Sequence, residues 1–447
     1  MTFYWRIIYR SYRIASWLQY WTLRRYTPAG KAVVVGLLFT ALFGLDIENT
    51  VGYQAFLALF CVLTASFIGS RLFRAKFSIE RVLPRFATAG QTFQYQVLVR
   101  NLNRSRQNNL ALLEDLADPR PTFTEWRSFH RSERRKARTL RVMRPGKKPF
   151  TIATLKEAVV PPLRPEGMGE AKVEIVPLRR GVLRFSGVTI TRPDPFGLMR
   201  AFTRVRAPQQ VLILPKRYPL PPIALPGAME YQVGGVALAS SVGRSDEFVA
   251  LRDYRRGDPL RHIHWRSWAK TGKPIVKEFE DEFYVRHALV LDTFTDYSNM
   301  EIFEEAVSVA ASFASTIVTQ ESLLDLLFVE EKAYCFTAGR GVAHADQMLE
   351  ILASVQPCDN KPFASLEQLV LDHVNNVSGC VVVLVAWDEK RKNFVKKLKA
   401  LNLPVMVLVV VEPGRGKSFD AQMIGEAAGN FHTLELGRIE SGLAELR

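Results

Sequence analysis

The chain has 447 residues, 48% hydrophobic and 23% charged, which excludes global disorder and allows two or three folded units. Its net charge is +16, an excess that points to an anionic partner, either lipid headgroups or nucleic acid. Cys61, Cys335, Cys358 and Cys380 are widely spaced with no CxxC pair. That spacing excludes a disulfide framework and a zinc site, and predicts reduced thiols buried as small hydrophobes in a reducing compartment.

Residues 3–26 are dense in Trp and Tyr, with Arg6, Arg10 and Arg13 at i, i+4 and i+7. A cationic face beside aromatic ones predicts an interfacial amphipathic helix over 1–30, lying in the headgroup layer. An ordinary amphipathic helix on a protein surface gives the same pattern. Arginines interrupt every apolar stretch here, which excludes a secretory signal.

Two apolar runs follow, Ala32 to Leu45 and Val51 to Gly69, joined by the acidic connector Asp46 to Thr50. A bilayer needs about 20 apolar residues per helix. The second run meets this, and the first does so only if Lys31 snorkels to the surface. The expectation is a transmembrane hairpin over 31–70. Arg24, Arg25 and Lys31 precede it and Arg71, Arg74, Lys76 and Arg81 follow it, so both termini and the soluble domains are expected in the cytoplasm.

From Phe77 the pattern alternates with period two. Phe93–Arg100, Lys172–Pro177, Val182–Phe185, Val188–Ile190 and Val211–Leu214 read as short strands punctuated by Gly and Pro, predicting a β-sandwich over 77–215. Inside it, Arg127 to Lys148 is a basic run containing Arg131, Arg134, Arg135, Lys136, Arg138, Arg141 and Arg144. Aromatic interleaving is thin, so nucleic acid is not the expected partner. A loop facing anionic lipid or a plain surface loop fits better.

Residues 243–283 form a distinctive segment. Asp258 followed by Pro259 predicts a helix N-cap with proline at the first position, and Thr271-Gly272 predicts its end. Ile275 to Phe279 alternates as a strand. Glu247, Arg252, Asp253, Tyr254, Gly257, Asp258, Arg261, Trp265 and Thr271-Gly272 together resemble the signature of the bacterial "domain of unknown function 58" family. Arg179-Arg180-Gly181 and Asp194-Pro195-Phe196-Gly197-Leu198 are similar to blocks of that family too. The resemblance implies an inner-membrane protein that partners a MoxR-type AAA+ ATPase and carries a C-terminal domain similar to von Willebrand factor A domains. It implies assembly or scaffolding, with Glu247, Arg252, Tyr254, Gly257, Asp258, Arg261 and Trp265 as partner-binding or structural residues.

Over 284–447 buried strands alternate with amphipathic helices, which predicts a doubly wound α/β sheet. Asp292 and Asp388 fall at strand ends. The family resemblance implies a divalent-ion loop, here Asp292-Thr293-Phe294-Thr295-Asp296, with Asp388 as the distant partner. Phe294 supplies no oxygen, so a magnesium site at Asp292, Asp296 and Asp388 is a degenerate one.

Other signals fall short. Pro413 to Ser418 lacks the first glycine of a phosphate loop, with Val411 in its place. His262 and His264 have no further ligand beside them. Asp253 and Asp258 have no accompanying nucleophile, which leaves pairing with Arg252 or Arg255 as their expected role. The reading that results is a non-enzymatic membrane-anchored adaptor. Its alternatives are a metal-dependent ligand-binding domain and an envelope-linked hydrolase.

Overall fold

The computed structural model describes residues 2–43, 50–118, 120–124, 126–127, 130, 151–221, 242–258, 260–283, 286–296, 299–319, 323–338, 342–414 and 430–446. They form two units, Met1–Lys216 and Arg217–Arg447. Arg131, Arg134, Arg135, Lys136, Arg138, Arg141 and Arg144 of the basic run lie outside the described residues.

The first unit opens with α1 (Thr2–Arg25), α2 (Pro28–Phe43) and α3 (Thr50–Arg71). One side of α1 meets protein: Trp5, Tyr9 and Tyr12 surround the buried Trp126, with ring centroids 5.9, 5.5 and 5.9 Å away. Arg24 closes the contact by pairing with Asp115 at 2.5 Å and donating to the Glu114 carbonyl at 3.0 Å. Phe3, Ile7, Ile14 and Leu18 remain exposed along α1. The helix therefore carries one side packed on protein and a stripe of exposed apolar residues.

Helix α2 starts before the apolar run does. The Thr27 hydroxyl accepts the Gly30 N–H at 3.0 Å, and Pro28 takes the first helical position, where its missing N–H costs nothing. Its 16 residues span about 24 Å at 1.5 Å per residue, short of a hydrocarbon core of about 30 Å. Val51–Arg71 is the helix, among those described, that is long and apolar enough to cross a membrane. Almost none of it is buried.

The strands of this unit among the described residues are β1 (Phe77–Val82), β2 (Phe86–Thr88), β3 (Phe93–Asn101), β4 (Leu110–Leu116), β5 (Ala153–Leu155), β6 (Ala158–Val160), β7 (Met168–Pro177), β8 (Gly181–Pro193) and β9 (Arg200–Leu214). They make two sheets, β1-β3-β7-β5 and β2-β9-β8-β4-β6. Inward residues of both sheets, such as Val97 and Val173 of one and Leu112 and Ile190 of the other, share one buried core. The alternation read from the sequence is the cause, since every second side chain points inward. The two strands expected at Val182–Phe185 and Val188–Ile190 are one strand, β8, with a register break between Phe185 and Gly187. A Cβ at Gly187 would overlap the Val205 carbonyl, so only glycine allows that approach.

The second unit contains an antiparallel pair, β10 (Val242–Asp253) and β11 (Ile275–Phe283), with the short helix α4 (Trp265–Thr271) between them. Beyond it lie β12 (Arg286–Leu291), α5 (Met300–Thr319), β13 (Leu323–Val329), β14 (Ala333–Ala338), α6 (Val342–Ser354), α7 (Ala364–His373), β15 (Gly379–Leu384), α8 (Glu389–Ala400), β16 (Val405–Val411), β17 (Phe431–Glu435) and α9 (Ile439–Ala444). The strands form one sheet in the order β14-β13-β12-β15-β16-β17, parallel except for β14. Strands buried on both faces need unbroken apolar runs, which is how Val405–Val411 reads. Cys358 and Cys380 are buried as expected, and burial pushes the Cys380 thiol up to about 12; Cys61 and Cys335 are exposed instead.

Candidate functional site

The signature segment is held by a closed turn. The Arg252 guanidinium forks onto both oxygens of Asp258, at 2.7 and 2.8 Å, and the same carboxylate accepts the Arg255 N–H at 2.8 Å. Gly257, at φ 113°, supplies the reversal that lets Asp258 fold back. The bonds from Arg252 and the Arg255 N–H hold the Asp258 carboxyl down to about 2.

This turn corrects the expected helix start. Asp258 does not cap a helix, because its oxygens already serve Arg252 and Arg255. A single 3-10 turn covers Leu260–His262, and α4 begins at Trp265. The end is where the sequence put it: Gly272 adopts φ 68° and its N–H donates to the Trp268 carbonyl at 2.9 Å. Tyr254 and His264 donate backbone N–H groups to Pro274 and Ile275, tying turn and helix to the hairpin. Trp265 stacks on Trp268, centroids 5.3 Å apart, yet stays 65% exposed. Arg261 is exposed as well. Glu247 falls on β10, and its side chain lies outside what is described. His262 meets Arg261 and His264 meets Ser267, so the two imidazoles have separate partners.

A second constellation sits where the strand order reverses. The chain passes from β12 to β13 on one side, while β15 flanks β12 on the other, and such switch points open a crevice at the carboxyl ends of the strands. Asp292, fully buried, follows β12 there, and Asp388 caps α8 after β15 by accepting the Arg391 N–H at 3.0 Å. Arg391 lies between the two carboxylates. Its Nε donates to Asp292 at 2.6 Å, one terminal nitrogen to Asp388 at 2.7 Å, and the other to the Phe294 carbonyl at 2.8 Å. The guanidinium also stacks over the Phe363 ring, 5.1 Å from its centroid.

Burial pushes the Asp292 carboxyl up and the charge of Arg391 opposes that shift. Burial likewise works against the Arg391 charge, but the pull of Asp292 and Asp388 exceeds it and raises the guanidinium. Asp292 also accepts the Phe294 N–H at 3.0 Å and the Val385 N–H at 3.2 Å. With that many donors aimed at it, the ion pair is the state the geometry favours.

This donor set does not fit a divalent ion. The oxygens of Asp292 are turned to Arg391 and two backbone N–H groups, Phe294 brings only a carbonyl already engaged, and Asp296 is exposed. Among the described residues no group of three His, Cys, Asp or Glu side chains is placed to hold a metal. The physical reason is that the Arg391 guanidinium already occupies an oxygen of each carboxylate, Asp292 and Asp388. Sequence reasoning missed Arg391 among the neighbouring lysines. The signal was there: Arg391, Phe394, Val395 and Leu398 recur at i, i+3, i+4 and i+7, and all are buried.

The Asp194–Leu198 block has a third role. The Asp194 carboxylate accepts the N–H groups of Phe196 and Met199 at 3.0 and 2.6 Å, closing a turn with Gly197 at φ 69°. The Leu198 carbonyl accepts the Thr27 N–H at 3.1 Å, and a Cβ at Gly30 would overlap it. Gly69 at the end of α3 faces Pro195, with a Cβ there meeting its ring at 3.4 Å. This turn is therefore where the apolar helices meet the strands.

Residues 250–417 match the family described as "Protein of unknown function DUF58". A curated relative, the uncharacterized protein YeaD of Bacillus subtilis (strain 168), is 25% identical over 190 residues, 42% of this chain and 45% of that protein. The match thus spans about half the relative's length. Among solved structures, PapD-like domain 7 of human CEP192 is 11% identical over 31% of this chain and 86% of that one, with a TM-score of 0.16. AggA, the major subunit of aggregative adherence fimbriae type I from Escherichia coli, is 7% identical over 32% and 96%, with a TM-score of 0.17. Scores that low carry no argument about this fold. The match to the DUF58 family covers residues 250–417, less than half of the chain, and these contain both the Arg252–Asp258 turn and the Asp292–Arg391–Asp388 network.

Proposed function

We propose that the protein is a membrane-anchored adaptor whose soluble mass faces the cytoplasm and engages a MoxR-type AAA+ ATPase. The observation that carries this reading is α3: it is long enough to span, apolar, and almost unburied among the described residues. In this reading α2 spans beside it as the second pass, with Lys31 snorkelling and the run continuing toward Leu45. Cations before α2 and after α3 favour cytoplasmic termini at a bacterial inner membrane.

The six-stranded unit acts in this proposal as a von Willebrand factor A-like domain that needs no metal. The satisfied Arg391 network supports that assignment, because it supplies the positive charge internally. Trp265, Arg261 and the Arg252–Asp258 turn are in this proposal the residues offered to the ATPase: an exposed indole makes a good interface anchor. Assembly or maturation of envelope proteins is the task such an adaptor would serve.

The test is purification of the full chain in detergent after crosslinking. Co-purification of an AAA+ ATPase that changes with nucleotide is expected. Release of the intact chain by carbonate without detergent, or a C-terminal tag reachable from outside the cell, would overturn the membrane assignment. Loss of the ATPase partner under crosslinking would overturn the adaptor assignment alone.

A further inference from the structure

Within the first unit, α1 has two sides that meet different surroundings. Trp5, Tyr9 and Tyr12 pack on Trp126, and Arg24 pairs with Asp115 of β4. At about 100° per residue, Phe3, Ile7, Ile14, Trp17 and Leu18 leave the helix on roughly the opposite side. Each of these five is half or more exposed. Arg6, Arg10 and Arg13, also exposed, run along one flank of that stripe.

A helix that already buries one side against protein gains nothing from a second apolar side in water. A contiguous exposed stripe of that kind marks contact with something apolar. The arginines exclude the hydrocarbon interior, where a guanidinium is costly. Apolar side chains on one side, with cations and an indole among them, match the layer where acyl chains meet headgroups.

The end of α1 fixes its level. Arg25 donates to the Ser70 hydroxyl at 2.8 Å, and Ser70 lies one residue from the end of α3. Only Tyr26 and Thr27 separate α1 from α2. With α3 spanning the bilayer, α1 therefore ends at the headgroups on the side where Arg71 and Arg74 emerge.

We infer that α1 lies along the anionic headgroup layer, with its Phe3-to-Leu18 stripe inserted and its opposite side holding Trp126 and β4 against the membrane. Anionic lipid is the occupant because the stripe continues from the end of the span and its flanking charges are all positive. The inference rests on the membrane anchor proposed above and adds a second contact to it.

Insertion is read from the tryptophan emission of the full chain in nanodiscs, one chain per disc, made of phosphatidylglycerol and phosphatidylcholine brominated near the top of the acyl chain. Bromine quenches an indole that touches it, and neither α2 nor α3 contains tryptophan. Trp17→Phe should remove most of the quenching with the thermal melt unchanged, while Trp5→Phe, on the side facing Trp126, should leave it as it was. Combining Arg6→Gln with Arg10→Gln should lower the quenching, since each cation near an anionic surface strengthens binding about fivefold. Unchanged quenching in Trp17→Phe, or an equal loss in Trp5→Phe, would overturn the inference and leave the span intact. Equal quenching in discs of phosphatidylcholine alone would overturn anionic lipid as the occupant. A chain that does not enter discs at all would overturn the span, and the inference with it.

Discussion

Arg391 donates from Nε to the carboxylate of Asp292 at 2.6 Å, and both side chains are all but sealed from solvent, at 7% and 0% exposure. The pair joins the first turn of α8 to the end of β12, two elements about a hundred positions apart in the chain. A charge pair buried this deeply gives little net stability, since desolvation offsets attraction, but breaking it on one side leaves a stranded charge.

Arg391→Ala should therefore destabilise the protein by about 3–5 kcal/mol, read from urea unfolding of the full chain in detergent. Combining it with Asp292→Asn should recover part of that loss, because the stranded charge is then gone. Added magnesium should not restore the single variant, given the missing oxygen ligands around Asp292.

The turn around Asp258 should respond to acid in one direction. Its carboxyl sits at about 2 when folded, below the ordinary aspartate value near 3.9. A depressed value means the stabilisation is complete above the ordinary value and is lost as pH falls from there through about 2. Carbon-detected NMR titration of Asp258 should show a midpoint near 2, returning toward the ordinary range in Arg252→Ala.

The sandwich core holds an ion pair across its two sheets. Arg81 of β1 donates to both oxygens of Glu114 of β4, at 3.1 and 2.8 Å, and the Tyr95 hydroxyl adds a bond at 2.6 Å. Burial pushes the Glu114 carboxyl up and the Tyr95 hydroxyl up. Tyr95→Phe should cost about 1–3 kcal/mol and Glu114→Ala about 3–5 kcal/mol, since the latter strands the arginine. Differential scanning calorimetry would show the order of the two losses.

At the foot of α2, Gly30→Ala should displace the helix from the Leu198 carbonyl. Limited proteolysis should then cut between α2 and β1 sooner than in the parent chain, while the Arg391-centred sheet stays resistant. Equal cleavage rates would show that the Thr27–Leu198 bond does not hold the helix.

Much of this architecture is legible along the chain because burial repeats with the backbone. Val405–Val411 emerges as a strand at the bounds its apolar run marks, and the strand read over Phe93–Arg100 runs one residue further, to Asn101. The candidate site was only half legible. Asp292 and Asp388 stood out as strand-end carboxylates, but what lies between them depends on a contact that no local spacing encodes.

Most elements and their buried faces follow from local periodicity, which comes directly from 3.6- and 2-residue geometry. The resemblance to DUF58, read from a run of residues in order, falls where the family model matches, over residues 250–417. Only the tertiary structure decided which charges meet. Arg391 binds both carboxylates that the sequence offered as metal ligands, and of the two roles read for Asp258, pairing with Arg252 or Arg255 and capping a helix, the fold realises the pairing. Partner choice for a charged group is set by distance and burial after the chain has packed, and those are properties of the assembled core.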